Sequence, residues 1–209
     1  MTWKCDGLSE MLPGAEFGRR YLERLHGILE NLDFCSIEGV IKVFLEAREN
    51  GNTIFFLGNG GSAATAVHFT NDLGVCASPE GRKPFRCVCL TSNTALITCL
   101  ANDFGYEQVF SRQLRNLMVP GDVVVGISAS GNSPNAVTAL KYAKENGGIP
   151  VALVGFDGGT MKPLARHVIH VLTDKGDYGI VEDVHMILDH LISSYLATIH
   201  EDSVERTCQ

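Results

Sequence analysis

A chain of 209 residues, 45% hydrophobic and 20% charged, has the size and composition of one globular domain with room for a helical extension. That composition excludes a disordered chain, and 22 glycines without a Gly-X-Y period exclude collagen. The formal net charge is −7 and no block of Lys or Arg occurs, which argues against a nucleic-acid partner. No run of about 18 apolar residues and no apolar N-terminal signal region occur, so no membrane partner and a cytoplasmic location are expected. Seven cysteines, an odd number without any Cys-x-x-Cys pair and mostly set in apolar runs, read as reduced, buried thiols.

Residues 15–32 carry Phe17, Tyr21, Leu25, Ile28, Leu29 and Leu32 near helical spacing and predict a helix. A second helix is predicted over 36–50, capped by Ser36 and stopped at Asn50-Gly51. Thr53–Leu57 then reads as a short buried strand, ending in Gly58-Asn59-Gly60-Gly61-Ser62 and followed by a helical segment. Cys87–Leu90 is a further strand. Asp122–Ile127 is another, followed by Ser128-Ala129-Ser130-Gly131-Asn132-Ser133. Pro134 then opens a helix that runs to Asn146-Gly147-Gly148. Ile149–Val154 and His167–Leu172 complete the strands. A long final helix spans 179–200 on a stripe of Ile180, Val184, Ile187, Leu188, Leu191 and Tyr195. The polar segment 201–209 is expected to fray. Short apolar strands alternating with helices predict a single α/β domain, 1–209. It has a helical arm over 15–50 and, over 51–200, a flavodoxin-like parallel sheet flanked by helices on both faces.

Ligands on such sheets bind outside the carboxyl ends of the strands, where the Gly/Ser loops fall. The Gly58–Ser62 loop lets backbone N–H groups approach an anion at a helix N-terminus. Ser128, Ser130 and Ser133 repeat the arrangement after a second strand. Two serine-bearing junctions in one sheet are more than tight turns require, and they are expected to bind phosphate without a cation. A P-loop is excluded because no Gly-Lys-Ser/Thr occurs. Gly58-x-Gly60-x-x-Ala63 fits the dinucleotide fingerprint only loosely, with no acidic residue closing a second strand about 20 residues on.

Among the polar residues, His68 and Asp72 are four apart on the first loop's helix and share a face. Glu182 and His190 both lie on the final helix. Eight residues turn roughly 80° on a helix, so these two converge only if Glu182 sits in the first turn or before it. Taken singly, each also reads blandly: a core histidine, a solvated or capping carboxylate, an interface histidine. His185 and Asp189 are nearby decoys.

Five motifs together resemble the sugar isomerase (SIS) fold and, within it, the phosphoheptose isomerases. They are Gly58–Ser62 with His68-Phe69, Ala101–Gly105, Phe110-Ser111-Arg112, Gly121–Ser133 and Gly158-Gly159. That resemblance, over about residues 15–200, implies an isomerase taking sedoheptulose 7-phosphate to the aldoheptose 7-phosphate through an enediol. The pathway it implies is heptose supply for lipopolysaccharide or capsule. It also implies a homotetramer with sites shared between subunits. It assigns phosphate contacts to Ser62, Ser128, Ser130 and Ser133, and further substrate contacts to Ala129 and Glu182. Sugar contacts fall to Asn59, Gly60, Gly61, Asn102 and Asp103. A divalent metal, usually zinc, is assigned to His68, Asp72, Glu182 and His190, with Asp72 and His190 as the acid/base pair.

The chain departs from the family pattern at three places. Asp72 stands for a glutamate, Glu182 for a glutamine, and Gly74-Val75-Cys76 occupies the stretch where a Gly-Arg pair supplies a phosphosugar contact. Arg82, Lys83 and Arg86 are the candidate replacements. Two further readings are an isomerase of another phosphosugar and a non-catalytic tetramer of the replication-initiator-associating type. In the latter the last histidine is replaced, whereas His190 is retained here.

Overall fold

Three runs of β-branched and aromatic residues are buried on both faces, as central parallel strands require: Thr53–Leu57 (β1), Val123–Ser128 (β3) and Ile149–Val154 (β4). In the computed structural model, which describes residues 12–199, Arg86–Cys89 (β2) and His167–His170 (β5) flank them. The result is an all-parallel sheet, as the sequence predicts, and its strand order is β2-β1-β3-β4-β5. The strand order reverses between β1 and β3, and at such a point the outgoing loops part and open a crevice at the strands' carboxyl ends.

Helices cover both faces. Gly14–Glu30 (α1), Phe34–Asn50 (α2), Gly61–Asn71 (α3) and Tyr178–Thr198 (α8) pack on one side. Thr94–Phe104 (α4), Ser111–Leu117 (α5), Pro134–Glu145 (α6) and Met161–Leu164 (α7) pack on the other. α3 is fixed to the sheet by an aromatic cluster. Phe69 stacks on Phe56 of β1 at 4.8 Å between centroids and meets Phe44 of α2 edge-on at 5.9 Å. A single turn of π-helix, Asp72–Cys76, continues α3 and packs against α8.

Several local expectations are corrected. The cap of α2 is Asp33, not Ser36: its carboxylate accepts from the Cys35 and Ser36 amides and from the Ser36 hydroxyl. Gly51 at φ 72 closes that helix in the left-handed conformation. On α8 the expected stripe is buried at Ile180, Val184 and Leu188, while Tyr195 is exposed. The buried face also takes in Val181, Ile192 and Leu196 and the polar His185, Asp189 and Ser193, so it lies to one side of the expected stripe. Of the five described cysteines, all free, Cys35, Cys76 and Cys99 are exposed rather than buried. They sit on outward-facing helical turns. Only Cys87 shows a strong burial effect, its thiol pushed up to about 12. Cys5, Cys208 and the segment 201–209 lie outside the described residues. Among the described residues no helix is long and apolar enough to cross a membrane.

Phe69→Ala removes the ring that joins α3 to β1 and α2 in a fully buried position. The expected loss is about 3–5 kcal/mol of unfolding free energy, read by denaturant titration.

Candidate active site

The crevice begins where β1 and β3 end. Gly60 precedes α3 with φ 55 and ψ −125, a conformation that glycine adopts without steric cost. Its turn brings the Gly61 and Ser62 amides to the mouth, at the helix N-terminus. After β3, Gly131 at φ 61 packs so closely on the Gly158 carbonyl that a side chain there would collide with it. This contact folds the serine loop over the strand ends. Ser128 and Ser133 face each other with hydroxyls 3.2 Å apart, and Ser130 accepts from the Asn132 amide. The two loops are tied by a reciprocal amide pair: Asn59 donates to Asn135 at 2.8 Å, and Asn135 donates back at 2.9 Å. Tyr106 adds a third bond to the Asn59 side-chain oxygen.

Asn59, Gly60, Gly61, Ser62, Ser128, Ala129, Ser130, Ser133 and Glu182 line one cavity of about 410 Å³ together with Ile127 and Tyr178. No Lys or Arg is among its walls. Its polar character comes from hydroxyls, backbone amides and the two helix N-termini. Arg82 donates instead to the Ala197 carbonyl and Lys83 to the Glu49 carbonyl, while Arg86 is exposed on β2, so none supplies a cation to this cavity. The Glu182 carboxyl presses on Gly61, where any side chain would collide with it. Burial, and then the neighbouring Asp183 charge, push Glu182 above the ordinary carboxyl range. Asn102 and Asp103 lie at the end of α4, exposed and bonded to each other, outside the cavity.

Two turns further along α3 and α8, three donor groups converge. His68, Asp72 and His190 each offer a ligand atom, and these atoms all lie within 4.8 Å of one another. The two imidazoles meet edge-on at 4.9 Å, and His68 Nδ1 is 3.5 Å from Asp72 Oδ2. Two imidazoles and a carboxylate at this spacing are a donor set suited to zinc or a similar divalent ion. Glu182 stands apart from the group. It lies in the second turn of α8, so the 80° that separates it from His190 directs it to the cavity instead.

Three residues of the site were not expected. Tyr178 opens α8 at the cavity wall, edge-on to Phe156 at 5.0 Å. Asn135 ties the loops together. Asp189, set aside as a decoy, is fully buried and bonded to His68 Nδ1 at 2.9 Å. Burial raises its carboxyl, against the bonds from His68 and Ser193. The signal for it was an ionisable residue in phase with buried apolar positions of α8. His185 is fully buried and lies outside the cavity and the donor cluster, with neither ring nitrogen closing a hydrogen bond.

The SIS domain model matches residues 16–155. A probable phosphoheptose isomerase from Thermoplasma acidophilum is 40% identical over 178 residues, covering 85% of this chain and 96% of that protein. A phosphoheptose isomerase from Helicobacter pylori is 39% identical over 170 residues, covering 81% and 86%. Among solved structures, phosphoheptose isomerase GmhA from Neisseria gonorrhoeae superimposes with a TM-score of 0.76 at 30% identity. That match covers 88% of this chain and 96% of the other.

The His185 ring is held neutral by burial, its pKa lowered to about 4. An unfolded histidine takes up its proton near pH 6.5, so the unfolded state binds more protons between those values. Stability is therefore expected to fall by about 3 kcal/mol as pH drops from 6.5 to 4. Urea unfolding at stepped pH checks this, and His185→Leu should flatten the slope.

Proposed function

The chain belongs to the SIS-domain family, and from that premise we propose that it is an aldose–ketose isomerase acting on sedoheptulose 7-phosphate. The observation that carries the reading is the separation of two unlike sites along one pair of helices. Gly61 and Glu182 mark the cup and His68 and His190 mark the triad, so the two are about 10 Å apart along α3 and about 12 Å apart along α8 at 1.5 Å per residue. An extended chain of seven carbons, with bonds of about 1.5 Å, spans on the order of that distance from phosphate to carbonyl. The phosphate sits against the Ser62, Ser128, Ser130 and Ser133 hydroxyls and the amides of the first turn of α3. The carbonyl end then reaches His68, Asp72 and His190.

Isomerisation needs a base for the proton alpha to the carbonyl and an acid for the carbonyl oxygen. Asp72 takes the carbon-bound proton, His190 protonates the oxygen, and the resulting enediol collapses with the two roles exchanged. His68, Asp72 and His190 would hold a divalent ion, zinc in this reading, which when bound supplies Lewis-acid polarisation of the carbonyl. Glu182 is assigned to the cavity wall. A homotetramer is part of the proposal. Phe17 and Leu22 of α1 are exposed, and Asn102 and Asp103 lie outside their own chain's cavity, free to serve a neighbouring one.

Incubation with ribulose 5-phosphate, fructose 6-phosphate and sedoheptulose 7-phosphate, with and without zinc, tests the reading. Aldose formation fastest with the seven-carbon ketose is expected, and no aldose from it under either condition would sink the assignment. Asp72→Asn and His190→Ala should each lower kcat by about 10²–10⁴-fold. Parent-like turnover by both would remove their roles.

Glu182→Gln removes a negative charge from a cavity that holds no cation. At the effective dielectric of a half-buried site this is worth on the order of 1 kcal/mol towards an anion. KM for the phosphosugar should fall about fivefold, read by initial rates near neutral pH.

A further inference from the structure

The face that α8 turns inward is apolar at Val184, Leu188, Ile192 and Leu196, yet Asp189 stands in the same face with no exposure at all. A carboxylate removed from water is costly unless its oxygens are bonded. Both are. Oδ1 accepts from the Ser193 hydroxyl at 3.1 Å, one turn along the same helix. Oδ2 accepts from His68 Nδ1 at 2.9 Å, on α3 and 121 residues away. The first bond is local and holds the carboxylate's rotamer. The second crosses between helices and ends on one of the three groups that form the donor cluster.

An ionised carboxylate only accepts, so the proton of the neutral His68 ring lies on Nδ1 and the lone pair on Nε2. The ring itself is 42% exposed, and its edge-on contact with the His190 ring leaves open which nitrogen carries the proton. Asp72 Oδ2 also approaches Nδ1, at 3.5 Å, too far for a hydrogen bond. Asp189 is thus the group that selects the tautomer and turns the ring.

We propose that Asp189 is a positioning residue for the metal site. It is held by Ser193 and fixes the His68 imidazole with Nδ1 protonated and Nε2 free to bind the ion. The inference rests on the reading of His68, Asp72 and His190 as metal ligands. The order Ser193, Asp189, His68 is the outer-to-inner arrangement that generally orients a metal-bound histidine and raises its basicity. It differs from a merely structural bond in setting which ring nitrogen carries the proton.

The test uses the full chain, metal-free and then titrated with zinc, with the His68 ring nitrogens observed by long-range proton–nitrogen NMR and assigned through His68→Gln. The parent should show the Nδ1–H tautomer, and zinc should shift Nε2. Asp189→Asn should give a mixture of tautomers and bind zinc about 10–100-fold more weakly in chelator competition. The melting temperature of its metal-free form should stay at or above the parent's, because a buried charge is removed. Should Asp189→Asn fail to fold, Ser193→Ala should still weaken zinc binding about fivefold, the loss expected for one hydrogen bond. An Nε2–H tautomer in the parent, a zinc-dependent shift on Nδ1, or zinc affinity within twofold of the parent in folded Asp189→Asn would overturn the proposal. A parent that binds no zinc but shows an Asp189-dependent Nδ1–H tautomer would uphold the positioning of His68 and overturn the metal reading alone.

Discussion

α3 and α8 leave the crevice side by side and run in the same sense, and the rest of the site follows from that contact. Near the crevice they carry Gly61, in the first turn of α3, and Glu182, in the second turn of α8, which meet in the cavity wall. Two turns later they carry His68 and His190, whose rings touch. Neither helix could keep this register alone. α3 is pinned from below by Phe69 on Phe56 and Phe44, one residue from His68 and on a different face. α8 is pinned at its start, where the Tyr21 hydroxyl of α1 donates to Asp183 and Arg24 pairs with Asp177. The bond from His68 to Asp189 then closes the pair across the middle. The helical arm thus does more than extend the domain. It holds the end of α8 that faces the cavity.

The switch point between β1 and β3 makes the second half of the site. Two loops diverge there, each ending in a helix N-terminus, and the Asn59–Asn135 pair keeps them from drifting apart. Backbone amides and serine hydroxyls then face one small volume. A negatively charged chain can hold an anion in such a place because the favourable groups are fixed dipoles. They need no counter-charge from the side chains.

The parts of this arrangement that depend on short-range pattern were legible in the sequence. Thr53–Leu57 and Ile149–Val154 are continuous apolar runs bounded by turn residues, and their limits follow from that alone. The two Gly/Ser loops announce themselves by composition. His68 and Asp72 share a face by spacing. What was not legible depends on contacts between distant elements. Asp189 reads only as a decoy beside His190 until α3 is set beside it, because its partner is 121 residues away. The displaced face of α8 has the same origin: a stripe counted on apolar residues omits the polar ones turned inward, His185, Asp189 and Ser193. Glu182 could be separated from the triad only once the start of α8 at Tyr178 was known, since the 80° between 182 and 190 has meaning only inside a helix. The cap of α2 shifted to Asp33 because that carboxylate reaches two amides and a hydroxyl at once.

A cup built from dipoles has a kinetic consequence that a cup built from arginines would not share. Dipole fields fade within a few ångströms, whereas the field of a chain with net charge −7 extends over a Debye length, about 10 Å at 0.1 M salt. A doubly charged phosphosugar approaching from solution therefore meets repulsion first and attraction only at the mouth. Added salt screens the repulsion and leaves the short-range capture almost untouched. Association should then quicken as ionic strength rises, the reverse of the behaviour of sites that draw in phosphate with positive charge.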